Sequence, residues 1–403
     1  MRIAYLSCDF GVPVFGTTGS AVHLREMVRA LRGLGHEVRV YSPATDEGGA
    51  DALDGVHAIE LGGVAREVAE LLKGENAGLP PHLYREWRRL LFAEHAQRGL
   101  LPLLDAYAPD AIYERYSLFA YAGVELARTL RVPHVLEANA PLAQEAATHR
   151  ELVLRATAEA LEQRIMCAAD AVVVVSEPLA EHARRLGVPP ERIDVLPNGV
   201  DPERFRPDVS GAAVRAKHGL EGKRVLGFAG SLKPWHDIET LVAAARLLHE
   251  ADDRVRLLVV GDGPGMASLR ALDAPWLAIA GAVPHADVPS HYAAMDAIAV
   301  TFTGESDYFS PVKLFEAMAM AKPVVAARAG QIAQVVVDNE TALLYDPGDA
   351  NDLALKVRDV LDREDAGASL GAGARAFVLD GHTWEHNARR VAEIVVSLKA
   401  AKA

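Results

Sequence analysis

Short runs of apolar, often β-branched residues recur along the chain, and each is followed by a stretch whose apolar positions return every three or four residues. Ile3 to Leu6 is the first such run, and a Gly16-Thr17-Thr18-Gly19-Ser20 turn follows it. Leu24, Met27, Val28 and Leu31 then stand at helical spacing, Gly35 closes that helix, and Val38 to Tyr41 begins the next strand. Further strands fit at Ala111 to Tyr113, Pro133 to Leu136, Ala171 to Val175 and Ile193 to Leu196. The segment Leu196 to Pro202 is dense in turn formers and ends this series. A second series runs through Val225 to Phe228, Val255 to Val260, Leu277 to Ala280, Ala297 to Thr301 and Pro323 to Ala326. Strands alternating with helices imply βαβ units, and hence an α/β protein built on parallel sheets covered on both faces. The expected division is residues 1–202, residues 203–381, and a last helical segment in residues 382–403, with Trp384 to Leu398 as its helix.

Composition narrows the function classes. A chain of 403 residues exceeds what one core usually supports, which agrees with two domains. The net charge of −13 argues against a nucleic-acid partner, because such binding needs a positive surface. Cys8 and Cys167 have no metal-ligand spacing and read as thiols of a reducing compartment. Asp9 interrupts the N-terminus before an apolar run reaches signal-peptide length, and no apolar stretch is long enough for a bilayer span, so a cytoplasmic protein is expected. Between Leu79 and Leu104, Trp87, Leu90 and Leu91 lie beside Arg85, Arg88 and Arg89. Such a basic amphipathic helix suits a membrane surface, but a core-facing helix with its arginines in solvent is the preferred reading.

Several common sites are excluded. No Asp-x-Asp triplet is present, which weighs against a transferase that clamps a diphosphate through a divalent ion. There is no zinc-protease helix, nucleophile elbow or phosphate-loop Gly-Lys motif. Gly261-Asp262-Gly263-Pro264-Gly265 follows a strand, but Met266 stands where a dinucleotide fingerprint wants glycine.

Two segments present backbone N–H groups at a helix start. Gly16 and Gly19 allow close approach of a ligand to a helix N-terminus, although an ordinary strand–helix turn also uses glycine. In the second, Phe309-Ser310-Pro311-Val312-Lys313 leads into Leu314-Phe315-Glu316-Ala317-Met318-Ala319. Ser310 is expected as the N-cap and Pro311 as the first helical residue. Lys313 is then a cation at the positive end of the helix dipole, a conflict that a bound anion would remove. Glu316, in an otherwise apolar helix, needs polar partners.

These residues, with Lys322-Pro323-Val324-Val325-Ala326 after them, resemble the donor-site motif of retaining GT-B glycosyltransferases of family 4. The resemblance runs over the whole chain and includes Gly35-His36-Glu37-Val38, Val195 to Asp201 with Phe205, Gly261-Asp262-Gly263-Pro264, and Leu343-Leu344-Tyr345 with Pro347-Gly348-Asp349. It implies two facing Rossmann-like domains with the reaction in the cleft between them, the first binding acceptor and the second the nucleotide sugar, and a final helix crossing back to the first. It also implies that Glu316 accepts the ribose hydroxyls, that backbone of Phe309 to Pro311 contacts sugar and diphosphate, that Gly16 to Gly19 approaches the phosphates, and that Gly281 to Pro284, with Val283, lies along the base. The donor is then a nucleoside diphosphate sugar, with neither cofactor nor metal.

Five positions depart from the family pattern. Tyr308 stands where a second glutamate pairs with Glu316, while Glu305 and Asp307 are out of register. Ser231 and His236 replace the usual arginine and lysine, Asn139 replaces a histidine, and Gln334 replaces a common glutamate. The strings Glu137-x-Asn139-x-Pro141-Leu142 and Ser231-x-x-Pro234-Trp235-His236 are similar to those of one branch of the family. The reading that results is transfer of a sugar to an acceptor hydroxyl, with Lys313 and Lys233 or a protonated His236 stabilising the diphosphate. Asn139 bonds sugar or acceptor in this scheme. Glu114 and Arg115, at the carboxyl end of a strand, are acceptor-side candidates. A silent nucleotide-binding subunit and a sugar-nucleotide epimerase are the alternatives. Donor base, donor sugar and acceptor are not legible in the sequence.

Overall fold

The computed structural model describes residues 1–16, 18–45, 53–73, 80–304, 308 and 310–402. The chain forms two compact units, one of Met1–Pro197 with Asn387–Ala403 and one of Asn198–His386, so the division falls a few residues ahead of Pro202.

The first unit carries, in chain order, β1 (Arg2–Leu6), α1 (Gly19–Gly33), β2 (Glu37–Ser42), β3 (Val56–Ala58), α2 (Gly63–Lys73), α3 (Pro81–Tyr107) and β4 (Ala111–Arg115). It continues with α4 (Ala122–Leu130), β5 (His134–Ala138), α5 (Leu142–His149), α6 (Arg155–Ala168), β6 (Ala171–Val174), α7 (Glu177–Arg185) and β7 (Ile193–Val195). These strands form one sheet in the order β3-β2-β1-β4-β5-β6-β7. Every pairing in it is parallel. Order reverses between β1 and β4, where Tyr5 stands opposite Tyr113. Both faces are covered, so the four residues of β6, Ala-Val-Val-Val, are all buried and show no alternation.

The second unit holds α8 (Ala212–Lys217), β8 (Arg224–Ala229), α9 (Ile238–Ala251), β9 (Val255–Val260), α10 (Met266–Ala271), β10 (Leu277–Gly281) and α11 (Val288–Ala293). It then adds β11 (Ala297–Val300), α12 (Val312–Ala319), β12 (Val324–Ala327), α13 (Ile332–Val335), β13 (Leu343–Tyr345), α14 (Ala350–Asp362) and α15 (Glu364–Leu379). Its parallel sheet runs β10-β9-β8-β11-β12-β13, with the switch point between β8 and β11. Leu226, Leu257, Ile298 and Val325 line a single core under the covering helices.

The last helix, α16 (Trp384–Lys402), belongs to the first unit from Asn387 onward. Asn387 donates its side-chain amide to the Pro197 carbonyl at 2.7 Å, Arg390 pairs with Asp194, and Lys402 reaches Asp170 at 2.7 Å. Polar pairs along one face therefore anchor this helix to the sheet it returns to.

Helix α1 shows how local sequence sets an element. Thr18 accepts a hydrogen bond from the Ala21 N–H at 3.3 Å as its N-cap. At the other end Gly35 and His36 return their N–H groups to Arg32 and Leu31. The helix from Pro81 corrects one expectation. Arg88 is not in open solvent; its guanidinium lies 3.9 Å from the Phe10 ring centroid, and Arg89 pairs with Asp9 at 3.5 Å. Trp87 remains 43% exposed. Among the described residues no helix is long and apolar enough to cross a membrane.

Candidate active site

In parallel α/β sheets ligands collect at the carboxyl ends of strands where strand order reverses. In the second unit that place is the end of β8 and β11, and it gathers residues from two segments. The loop after β8 carries Gly230, Ser231, Lys233 and His236, and α12 brings Lys313 and Glu316. The ammonium of Lys313 lies 3.2 Å from Nε2 of His236. A side chain at residue 230 would collide with that ammonium, so the glycine there makes room for the lysine. Lys313 has no carboxylate partner among the described residues.

Imidazole chemistry follows from the partners. Nδ1 of His236 donates to the Ser231 carbonyl, which leaves Nε2 as a lone pair that accepts from Lys313. Burial, and then the Lys313 charge, lower the His236 pKa to about 3. The imidazole is therefore neutral in the ligand-free chain. Burial also lowers Lys313, to about 8, with Lys233 adding to the shift and Glu316 opposing it. Lys233 itself is exposed, its ammonium 4.7 Å from the Trp235 ring centroid.

Glu316 is 6% exposed and its carboxylate is already engaged. Oε1 accepts from Nε2 of His285 at 2.9 Å and Oε2 from the Tyr292 hydroxyl at 3.4 Å. Arg204 donates to Nδ1 of the same histidine at 2.9 Å, which fixes the tautomer that donates to Glu316. A ribose that binds Glu316 must displace His285 or share the carboxylate with it.

Ser310 is not the N-cap that the sequence suggests. Its hydroxyl accepts from the Asn198 N–H at 2.9 Å, and its carbonyl accepts from the Asn198 side-chain amide at 2.9 Å. Pro311 takes the cap position with no side-chain bond. The serine thus ties the start of α12 to the chain at Asn198, a stronger demand than capping because Asn198 is itself buried. Gly263, expected at the donor, has φ +152°, and a side chain there would strike the backbone of Leu232. Close packing of two loops accounts for this glycine without a ligand. Val283 packs partly buried on the core of its unit. Gln334 is exposed. Phe309, Glu305, Asp307 and Thr17 lie outside the described residues.

In the first unit the carboxyl ends of β4 and β5 meet α1 around a residue that sequence reasoning passed over, Glu137. This carboxylate is 1% exposed; it accepts from Arg115 at 3.0 Å, the Tyr113 hydroxyl and the Asn139 amide, and His23 Nε2 lies 2.8 Å away as an ion-pair partner. Burial raises its pKa, but His23, Arg115 and Tyr113 together overcome this and hold it at about 2. Asn139 and Arg115 are thus oriented by one buried anion. Glu114, by contrast, points to the opposite face of the sheet. It is fully buried and bonds His134 at 2.9 Å, so it is a structural carboxylate and not an acceptor contact. Gly19 opens α1 with free space beside it, whereas Gly16 packs against Pro13.

Residues 17–204 match Glycosyltransferase Family 4, and residues 223–363 match Glycosyl transferases group 1. The D-inositol 3-phosphate glycosyltransferase of Stackebrandtia nassauensis is 32% identical over 391 residues, covering 92% of this chain and 84% of its own. The chain belongs to the family 4 glycosyltransferases. A GDP-mannose-dependent alpha-mannosyltransferase of Mycobacterium tuberculosis is 27% identical over 351 residues, covering 87% of this chain and 85% of its own. Among solved structures, Anabaena HepE in complex with UDP superposes with a TM-score of 0.74 at 20% identity, covering 98% of this chain and all of that one. The two parallel sheets and this likeness give the family 4 chain the GT-B fold. Within that fold, sequence motifs pointed to Lys313, His236 and Glu316, which the structure does bring together. They did not point to His285 or Glu137, each of which acts through a partner distant in sequence.

Proposed function

We propose that this family 4 enzyme transfers a hexosyl group from a nucleoside diphosphate sugar to an acceptor hydroxyl, with retention and without a divalent metal, in the cytoplasm. The observation that carries this reading is the Lys313 ammonium, held in the first turn of α12 beside His236 at the β8–β11 switch point. A cation in that position is stabilised when an anion binds at the helix start. Lys313 and the N–H groups at the helix start donate to the diphosphate and absorb the charge that develops as it departs. Glu316 accepts the ribose hydroxyls once His285 yields part of its bond. In a same-face reaction the departing phosphate oxygen takes the acceptor proton, so no glycosidase-like pair of carboxylates is needed.

Relatives guide the choice of donor and acceptor. One is named as GDP-mannose-dependent, one as acting on D-inositol 3-phosphate, and the HepE complex holds UDP. In the first unit Arg115 and Asn139, both held by Glu137, offer a cation and an amide to an anionic polyol acceptor. The test is calorimetry and thermal shift with GDP, UDP, ADP and TDP in EDTA, with Glu316→Ala as control. Saturable binding of one nucleotide, weakened at least tenfold in Glu316→Ala, is expected from loss of a charge-assisted bond. Binding of none of the four, or binding unchanged in the variant, refutes the site.

A further inference from the structure

The proposed donor site holds two nitrogen bases in direct contact, and among the described residues no carboxylate bonds either of them. Lys313 enters from α12, and His236 from the loop after β8. Their nitrogens are 3.2 Å apart, with the imidazole lone pair facing the ammonium. The groups around the ring are few. On its own loop the Ser231 carbonyl accepts from Nδ1, the Ser231 hydroxyl lies 3.4 Å away, and Lys233 adds a further positive charge. From β8 the Phe228 ring stands 6.1 Å from the imidazole, and Trp235 is at the same distance within the loop. The Thr301 hydroxyl, just past β11, donates to the His236 carbonyl at 2.5 Å and does not touch the ring. Asp237, next in sequence, turns its carboxylate to the Thr240 N–H at the start of α9. Glu316 spends its oxygens on His285 and Tyr292. Among the described residues, then, nothing anionic bonds either nitrogen.

We propose that His236 completes the donor site by taking up a proton as the nucleoside diphosphate binds, so that the ligand itself creates the second cation that holds it. In the free protein one proton-bearing cation, Lys313, donates to the imidazole. A diphosphate brings several negative charges to the same place. Lys313 then turns its N–H to a phosphate oxygen, the freed Nε2 accepts a proton from solvent, and the new Nε2–H donates to a second phosphate oxygen. No covalent bond changes, and the proton comes from the buffer. This inference rests on the proposed donor site. An imidazole that is neutral when the site is empty also avoids two adjacent cations in the free protein, consistent with its strongly lowered pKa there.

The experiment is titration calorimetry of the full chain with the tightest-binding nucleoside diphosphate at pH 7.0, in buffers of differing ionisation enthalpy. The slope of observed enthalpy against buffer enthalpy counts protons exchanged. The wild type is expected to take up about half a proton or more beyond His236→Gln, as a histidine raised to about 7 or above would. Proton release by the nucleotide itself is common to both proteins and cancels in the difference. If His236→Gln does not fold, His236→Asn replaces it in the same comparison. An uptake difference of about half a proton or more between wild type and variant supports the inference, and no difference overturns it. Equal slopes in wild type and variant, with nucleotide bound to both, overturn it while leaving the proposed function intact. Failure of every nucleotide to bind overturns both.

Discussion

Replacing Lys313 by methionine should stabilise the free protein while destroying its capacity to hold a diphosphate. The lysine pKa falls from 10.5 to about 8, first through burial, so the folded state pays for keeping this group charged. A drop of that size corresponds to about 3 kcal/mol, at ~1.4 kcal/mol for each pKa unit. Partial exposure of the side chain and the loss of the His236 contact reduce the expected gain to about 1–2 kcal/mol. The penalty is fully present below pH 8, where both folded and unfolded lysine are charged, and it fades as pH rises from 8 toward 10.5. Lys313→Met should therefore melt a few degrees higher at pH 7, at about 2–4 °C per kcal/mol for a unit of this size. The advantage should shrink above pH 8. Denaturant titration at pH 7 and pH 10, with nucleotide calorimetry on the same samples, checks all three points. A variant that is destabilised by more than about 1 kcal/mol at pH 7, or that binds nucleotide like the wild type, would refute the reasoning.

Glu137→Ala leaves Arg115, His23 and Asn139 around an empty buried position, and the expected cost is about 3–5 kcal/mol, with Glu137→Gln milder. Because the folded pKa lies at about 2, the carboxylate's contribution is complete above the ordinary carboxylate range and is lost as pH falls toward 2. The gap between wild type and Glu137→Ala in denaturant should accordingly narrow in acid, and a gap independent of pH down to 2.5 would count against the charge as its source. Arg390→Ala removes the half-exposed pair with Asp194. The expected loss is about 1 kcal/mol or less, read as a small fall in Tm; a loss of several kcal/mol would mean that α16 is held mainly by this pair.

The strands were legible because both sheets are parallel and covered on both faces, so most strands read as largely apolar runs, although β2 alternates through Glu37, Val38, Arg39 and Val40. β3 and β13 escaped for a physical reason. Both are three-residue edge strands, as β7 is, but β3 reads Val-His-Ala with no apolar run to mark it, and Leu343-Leu344-Tyr345 was visible only as a family string. The start of α12 was legible in place but not in chemistry, since the partner of Ser310 is Asn198, 112 residues earlier. The charge of His236 could not be read, because its lowered basicity comes from burial and from Lys313, 77 residues away. Glu137 did leave a signal. Tyr113 and Arg115 stand two apart at the end of one strand, and a carboxylate ends the next apolar strand, so a shared face was implied. The register that sets Arg115 opposite Glu137 is not local, and only the structure supplies it. The mistaken role for Glu114 has the same origin, since one step along β4 turns its side chain to the face occupied by His134.

The most direct test of the central claim is nuclear magnetic resonance of the purified chain with GDP-hexoses and UDP-hexoses in EDTA, with and without an inositol phosphate acceptor. The account predicts release of one nucleoside diphosphate, appearance of a glycoside with the anomeric configuration of the donor, and a rate lowered by about a hundredfold or more in Lys313→Ala. No turnover of any donor, or turnover unchanged in Lys313→Ala, would contradict it.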